Sequence, residues 1–89
     1  MPYFVYIVRC ADDSLYTGIT TDLERRIREH NSPDKGARYT RARQPVTLVH
    51  HESYPDRSSA SKREYGIKKR MSRAEKLKLI RNYSPNTSL

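Results

Sequence analysis

Four side-chain types that can act together on a phosphodiester occur in this chain: phenols, a guanidinium, an imidazole and a carboxylate. The segment 15–31, LYTGITTDLERRIREHN, carries the candidate phenol, guanidinium and imidazole, because Tyr16 is followed by Arg26 and by His30 four residues later. Cleavage of a phosphodiester needs a group that activates water, a cation on the phosphate and stabilisation of the leaving oxygen. The residues therefore indicate a phosphate-handling site, most simply a metal-dependent nuclease site.

The carboxylate is Glu64, and its position in the sequence is unusual. The spacing predicts a long helix from Asp56 to Arg70 with Glu64 in the middle of its apolar stripe. That stripe consists of Ala60, Ile67 and Met71. A carboxylate on such a face needs a partner, because burial of an unpaired charge is costly. Three explanations remain open: a capping box that begins at Ser61, an ion pair with an arginine, or a metal ligand, since one carboxylate with waters and a phosphate often holds Mg²⁺.

Two strands must precede these helical residues. The segment 3–10, YFVYIVRC, is apolar on both alternating faces, which is typical of a central strand covered on both sides. A polar turn, 11–14, leads into a second strand, 15–20. Within that strand, Gly18 indicates that another backbone or a ligand approaches closely.

A helix follows, and it orients Arg26 and His30. Thr21 and Glu24 match a capping box, with Thr21 as N-cap, and the helix should end near His30 before Pro33. At about 100° per residue, the apolar stripe of Leu23 and Ile27 includes His30, with Arg26 beside it, whereas Arg25, Arg28 and Glu29 face solvent. We therefore expect Arg26 to lean toward the sheet and to meet phosphate or Glu64, rather than an acid of its own helix.

The basic residues are concentrated in the later part of the chain. Residues 1–24 hold one basic and four acidic residues, whereas residues 25–89 hold 17 basic and six acidic ones. Such a field favours a polyanion, most commonly nucleic acid, although a basic surface can also serve only solubility. A long predicted loop, 33–45, supplies the candidate nucleic-acid-binding residues Lys35, Arg38, Tyr39, Arg41 and Arg43. An untethered basic loop would have the same composition.

The remaining segments complete a small α+β domain. A third strand is predicted at 46–54, with Val46, Leu48 and His50 on one face; His51 points to the other face, so the two histidines should not share an ion. Ser72 and Glu75 form a capping box for a last helix with inner residues Leu77 and Ile80. We expect one domain, 1–82, built as a three-stranded antiparallel sheet flanked by helices in the order β-β-α-β-α-α, and a flexible tail, 83–89.

Several classes of protein are disfavoured. A single cysteine, Cys10, excludes an internal disulfide and fits a reducing compartment, and no apolar run is long enough to span a membrane, so we expect a cytoplasmic protein. The sequence contains no CxxC, HExxH or GxSxG motif and no phosphate-binding or dinucleotide-binding glycine loop.

The ordered set of residues resembles a known family. Tyr6, followed ten residues later by Tyr16-Thr17-Gly18, resembles the two half-motifs of the GIY-YIG endonuclease superfamily. Arg26 and His30 match its helix positions, and Glu64 matches its metal-binding glutamate. The segments LYTGITTDLERR and GARYTR are most similar to the small stand-alone bacterial, YhbQ-like branch. Two departures are Phe4-Val5-Tyr6, where only the tyrosine matches, and the family asparagine, for which Asn82 is the only candidate.

The resemblance implies a metal-dependent endonuclease that hydrolyses phosphodiester bonds in nucleic acid, with DNA as the expected substrate and Mg²⁺ or another divalent cation as cofactor. Tyr6 would help to activate water beside Tyr16, Arg26 would hold the phosphate, His30 would orient water or relay a proton, and Glu64 would bind the metal. The alternative is a non-catalytic nucleic-acid-binding module of the same fold. No separate DNA-reading domain fits in 89 residues, so substrate selection would depend on nucleic-acid structure or on a protein partner.

Overall fold

The computed structural model describes residues 2–83, which form a three-layer α+β domain. Its antiparallel sheet has the order β2-β1-β3, with strands β1 (Tyr3–Arg9), β2 (Leu15–Thr20) and β3 (Thr47–Tyr54). The helices are α1 (Leu23–His30), α2 (Arg38–Arg41), α3 (Arg57–Tyr65), a π-helical segment (Gly66–Arg70) and α4 (Arg73–Arg81). The predicted fold class and the order of the long elements are confirmed. Among the described helices, none is long and apolar enough to cross a membrane.

Strand β1 is the centre of the domain, because both of its faces are covered. On one side Val5 and Ile7 are fully buried together with Ala60 and Ile67, which come from α3 and the π-helical segment. On the other side Tyr6 and Val8 are buried against Leu23 and Ile27 of α1. The two apolar faces predicted for this strand therefore serve two separate cores.

The N-terminus of α1 differs from the prediction, because the N-cap is Asp22 and not Thr21. The Asp22 side chain accepts a hydrogen bond from the backbone N–H of Arg25 at 3.0 Å, and Thr20 Oγ1 accepts one from the N–H of Asp22 at 3.1 Å. An ionised carboxylate accepts a strong hydrogen bond and also complements the positive end of the helix dipole, which favours Asp22 over the neighbouring threonine.

The predicted helix 56–70 begins at the N-cap Asp56, so Ser61 lies inside it and the capping box proposed for Ser61 and Glu64 is wrong. The capping box of α4 is confirmed, with both reciprocal hydrogen bonds between Ser72 and Glu75 present. The predicted inner residue Leu77 is 38% exposed, whereas Leu79 and Ile80 pack on the core. The face of α4 that packs on the core carries Leu79 and Ile80, and Leu77 lies partly exposed outside it.

Strand β3 contains a bulge that changes its predicted faces. His50 pairs with Ile7 and Leu48 pairs with Val8, so the register shifts between them and the two side chains lie on opposite sides of the sheet. Val46 precedes the strand and is buried. His50 and His51 still point to opposite faces, as predicted.

Tyr83, which we expected in the flexible tail, packs against the edge of β3. Its hydroxyl is 2.5 Å from His51 Nδ1, and its ring lies edge-on to both His50 and His51. The packed part of the domain therefore reaches at least to Tyr83. The rest of the predicted tail, 84–89, lies outside the described residues.

Candidate functional site

A buried chain of hydrogen bonds joins β1, α1 and α2. The Tyr6 hydroxyl is 2.7 Å from His30 Nε2, and His30 Nδ1 is 2.8 Å from Thr40 Oγ1. Thr40 Oγ1 also donates to the carbonyl oxygen of Ala37 at 3.0 Å. All three side chains are at most 1% exposed, so this polar chain is held in place by the fold and not by solvent.

The direction of these hydrogen bonds follows from the number of protons available. The Thr40 hydroxyl has one proton, which it gives to Ala37, so it accepts from the Nδ1–H of His30. A neutral imidazole then has a lone pair at Nε2, which accepts the phenolic proton of Tyr6. His30 is therefore oriented as a base toward Tyr6.

The environment keeps both groups neutral at pH 7. Burial, with a smaller effect from the nearby Arg26 charge, lowers the pKa of His30 to about 4. Burial raises the pKa of Tyr6 to about 12, although Arg26 acts in the opposite direction. Tyr6 therefore carries its proton in the free protein, and the lone pair of the neutral His30 accepts its hydrogen bond.

Gly18 provides the space that the Tyr6 ring occupies. The two residues pair directly across β1 and β2, and a Cβ on Gly18 would lie 2.5 Å from the Tyr6 hydroxyl oxygen and 2.7 Å from Cζ. The close approach predicted at this glycine is present, but it is made by a side chain of the site and not by a backbone or a ligand.

Tyr16 and Tyr39 extend the site toward the surface. The Tyr16 ring lies edge-on to His30 with centroids 5.3 Å apart, and it stacks on Tyr39 with centroids 5.8 Å apart and an interplanar angle of 24°. Tyr39 is 39% exposed. A continuous aromatic group thus leads from the buried imidazole to solvent.

Arg26 leans inward as predicted, but its partner differs from the expected one. Its Nη1 donates to Glu29 Oε1 at 2.9 Å and to the carbonyl oxygen of Lys35 at 3.4 Å. Glu29 is consequently half-buried, and the expectation that it faces solvent is wrong. The pair forms because Glu29 lies one helical turn after Arg26 on the same face.

Glu64 lies at the same site and is half-buried, with 24% of its side chain exposed. Its Oε2 is 3.5 Å from Lys68 Nζ, so its ion-pair partner is a lysine and not the arginine that we considered. The Lys68 ammonium also lies 5.4 Å from the centroid of the Tyr16 ring. The Glu64 charge contributes to the raised pKa of Tyr6, after the larger effect of burial. The position of Lys68 over the Tyr16 ring and the effect of Glu64 on the pKa of Tyr6 both indicate that Glu64 lies beside these two tyrosines.

These residues could bind a magnesium ion through one protein carboxylate only, that of Glu64. Within residues 2–83, no group of three or more His, Cys, Asp or Glu side chains converges. The Glu64 carboxylate has a single charged neighbour in this part of the chain, the partly exposed Lys68, and so has oxygen atoms left for a cation. Mg²⁺ commonly binds through one carboxylate, waters and a substrate phosphate, which matches this set of donors.

The basic loop is anchored to the domain, so the untethered loop that we left open is not observed. It contains the short helix α2, and the Gln44 side chain donates to the carbonyl oxygens of His30 and Ser32. Asn31 exchanges two hydrogen bonds with the backbone of Val46. The predicted cations Lys35, Arg38 and Arg41 are exposed on this anchored loop, and Arg43 is partly exposed.

The sequence did not identify Thr40 or Gly36 as parts of the site. A Cβ on Gly36 would lie 2.8 Å from the Cα of His30, so this glycine allows the loop to pack on the end of α1. The segment GARYTR offered no separate signal for Thr40, because a threonine beside basic residues is ordinary in an exposed loop. Asn82, our candidate for the family asparagine, is the exposed C-cap residue of α4.

Comparison with known proteins identifies the family to which this chain is similar. The profile of the GIY-YIG catalytic domain matches residues 2–78. A UPF0213 protein of Desulfotalea psychrophila is 70% identical over 66 residues, which cover 74% of this chain and 60% of that protein. A UPF0213 protein of Staphylococcus haemolyticus is 54% identical over 78 residues, covering 88% of this chain and 93% of that one.

Solved structures agree with the fold. The solution structure of a UPF0213 protein from Bacillus halodurans has a TM-score of 0.60 and 44% identity, covering 97% of this chain and 90% of that chain. A solution structure from E. faecalis has a TM-score of 0.61 and 38% identity, covering 91% and 84%. On the family profile, the similar sequences and the shared fold, this chain belongs to the GIY-YIG family, as one of its small UPF0213 members.

Proposed function

We propose that the protein is an endonuclease that hydrolyses phosphodiester bonds in nucleic acid, with DNA as its substrate and Mg²⁺ or a similar divalent cation bound at Glu64. The observation that carries the proposal is the buried chain from Tyr6 through His30 to Thr40. A phenol that donates to a neutral, fixed imidazole is a proton-transfer pair, and the fold holds it beside a guanidinium and a carboxylate.

Water activation is the role of Tyr6 and His30 in this proposal. As the attacking water gives a proton to the Tyr6 oxygen, the phenol passes its own proton to His30 Nε2, which is neutral at pH 7 because its pKa is about 4. The raised pKa of Tyr6, about 12, means that it acts through this relay rather than as a free phenolate. Tyr16 keeps the imidazole ring in place by edge contact.

In this proposal Arg26 binds the scissile phosphate and stabilises its negative charge. One of its donor nitrogens is engaged by Glu29, and a guanidinium has five N–H groups, so others remain for phosphate oxygens. Glu64 would hold the divalent cation, which supplies stabilisation of the negative charge on the leaving oxygen when bound.

Nucleic-acid binding is assigned to the anchored basic loop. The chain carries a net charge of +8, and Lys35, Arg38 and Arg41 are exposed on the loop that also carries Tyr39. Binding carried by these cations should weaken steeply with salt. We place the protein in the cytoplasm, since its only cysteine, Cys10, is a buried free thiol.

The proposal is tested by incubating the protein with supercoiled plasmid and Mg²⁺. Wild type should convert the plasmid to nicked circles, while Arg26→Ala and Glu64→Ala should do so at least about 100-fold more slowly. Arg28→Ala and Glu24→Ala are matched controls, because these residues form an exposed pair on the outer side of α1. They should keep wild-type rates.

The same variants separate this function from the non-catalytic alternative. If wild type nicks no faster than Arg26→Ala and Glu64→Ala, yet all three bind DNA, the endonuclease proposal is wrong. The protein would then be a nucleic-acid-binding module of this fold.

A further inference from the structure

The aromatic group of the site ends in a charged and partly exposed face. Tyr39 stacks on Tyr16, and the guanidinium carbon of Arg43 lies 4.0 Å from the centroid of the Tyr39 ring. Tyr39 is 39% exposed and the Arg43 side chain is 36% exposed. The Arg43 guanidinium lies over a face of the Tyr39 ring, so solvent reaches the partly exposed guanidinium plane that caps this stack. We call the stacked pair the Tyr39–Arg43 platform.

This platform is held rigidly, although it lies at the surface. Arg43 Nε donates to Asp12 Oδ2 at 3.0 Å, and Arg43 Nη1 donates to the carbonyl oxygen of Tyr39 at 2.8 Å. The carbonyl oxygen of Arg43 in turn accepts from the N–H of Ala11 at 2.9 Å. An exposed arginine normally samples many rotamers, so these contacts fix the guanidinium over the Tyr39 ring before any ligand arrives.

The platform is also adjacent to the proton-transfer pair. The Tyr16 ring contacts both Tyr39 and His30, so the Arg43 guanidinium and the rings of Tyr39 and Tyr16 connect a ligand on the platform to the buried imidazole. The exposed cations Arg38 and Arg41 belong to the same short helix as Tyr39. A polyanion that these cations attract would have its bases brought within reach of the platform.

We propose that the Tyr39–Arg43 platform binds one unpaired nucleobase next to the phosphate handled by Arg26, so the protein selects nucleic acid with an unstacked nucleotide over intact duplex. This inference rests on the proposed function for the position of the phosphate. Unpaired bases stack on aromatic rings and on arginine planes, whereas a base inside a duplex has both faces covered by its neighbours. Selection would thus come from nucleic-acid structure without a second domain.

A base analogue whose fluorescence falls on stacking tests the platform. Full-length protein is titrated, in EDTA to prevent cleavage, into a short DNA strand that carries one 2-aminopurine, and separately into the same strand paired in a duplex. We expect quenching for the single strand and little change for the duplex. Tyr39→Leu should abolish the quenching and weaken binding of the single strand about 5- to 100-fold, the loss expected for one stacked base. Tyr39→Trp should retain both.

The matched control is Tyr65→Leu, because Tyr65 is 56% exposed and also lies near an arginine, Arg70, but on α3. It should bind and quench like wild type. Equal quenching by wild type and Tyr39→Leu, equal quenching of the duplex, or loss caused by Tyr65→Leu would overturn the inference. Quenching that needs Tyr39 in a protein that nicks nothing in Mg²⁺ would support the platform and refute only the endonuclease proposal.

Discussion

Gly18 and Tyr6 face each other across two strands so closely that a methyl group on Gly18 would overlap the Tyr6 hydroxyl, at 2.5 Å. The phenol can reach His30 only because position 18 lacks a side chain. The geometry of the candidate site and the packing of the sheet therefore depend on the same pair of residues.

Gly18→Ala should displace the Tyr6 ring and break its hydrogen bond to His30. We expect plasmid nicking to slow at least about 100-fold, the contribution typical of an acid–base group, and the free energy of unfolding to fall by about 1–3 kcal/mol from overpacking. Gly66→Ala is the control, since a Cβ there meets nothing within 4 Å. Equal nicking rates for Gly18→Ala and wild type would contradict the assignment of Tyr6.

The pH dependence of stability should report on His30. Its pKa is about 4 when folded and 6.5 when exposed, so the unfolded chain binds more protons between these values. The stabilisation that depends on neutral His30 is fully present above pH 6.5. The free energy of unfolding should therefore fall by about 3 kcal/mol as the pH drops from 6.5 to 4. Urea unfolding at several pH values measures it.

His30→Gln should flatten the dependence of the free energy of unfolding on pH between pH 6.5 and 4. His51→Gln is the comparison, because burial also lowers the pKa of His51, which is only half-buried. A steep loss of stability between pH 6.5 and 4 that persists in His30→Gln would show that the assigned neutral imidazole is not its cause.

Thr40 should fix the tautomer of His30, because it accepts the Nδ1–H. Thr40→Val keeps the volume but leaves that N–H without an acceptor, at a cost of about 1–3 kcal/mol of stability. Nicking should slow by about 10- to 100-fold, as when the partner that orients a functional histidine is lost. Thr40→Ser keeps the hydroxyl and should keep the rate; if Thr40→Ser is as slow as Thr40→Val, the hydroxyl is not the functional feature.

Lys68 should compete with a divalent cation for Glu64, since its ammonium lies 3.5 Å from the carboxylate. Lys68→Met removes this competitor, so calorimetry should show Mn²⁺ binding about 2- to 5-fold tighter, the scale of a partly exposed ion pair. Lys69→Met removes an exposed lysine next to it in the chain and should leave the Mn²⁺ affinity unchanged. If both variants change it equally, the effect is net charge alone.

The long-range plan of this domain follows from local patterns in the sequence. The two apolar faces of β1 predicted a central strand, and the inward stripe of α1 placed His30 and Arg26 toward the sheet, where both lie. Gly18 was identifiable because a glycine within a strand costs packing unless something occupies its space. Such predictions are correct where the hydrophobic period of a single strand or helix determines which of its residues face the core.

The remaining features depend on contacts between distant segments. The bulge that separates Leu48 from His50 is set by pairing with β1. Thr40 joins the site only because Gly36 lets the loop pack on α1. Contacts between segments that are distant in the chain leave no periodic pattern in a single sequence, so only the structure shows them.

The central claim is that Glu64, Tyr6, Arg26 and His30 form one centre around one divalent cation. Paramagnetic Mn²⁺, added at substoichiometric levels to the labelled protein, should selectively broaden the NMR signals of Glu64, Tyr6, Tyr16 and His30. EDTA should reverse this broadening. In Glu64→Gln this broadening should disappear. Broadening that persists unchanged in Glu64→Gln, or that centres on the exposed acids Asp12 and Asp13 instead, would contradict the account.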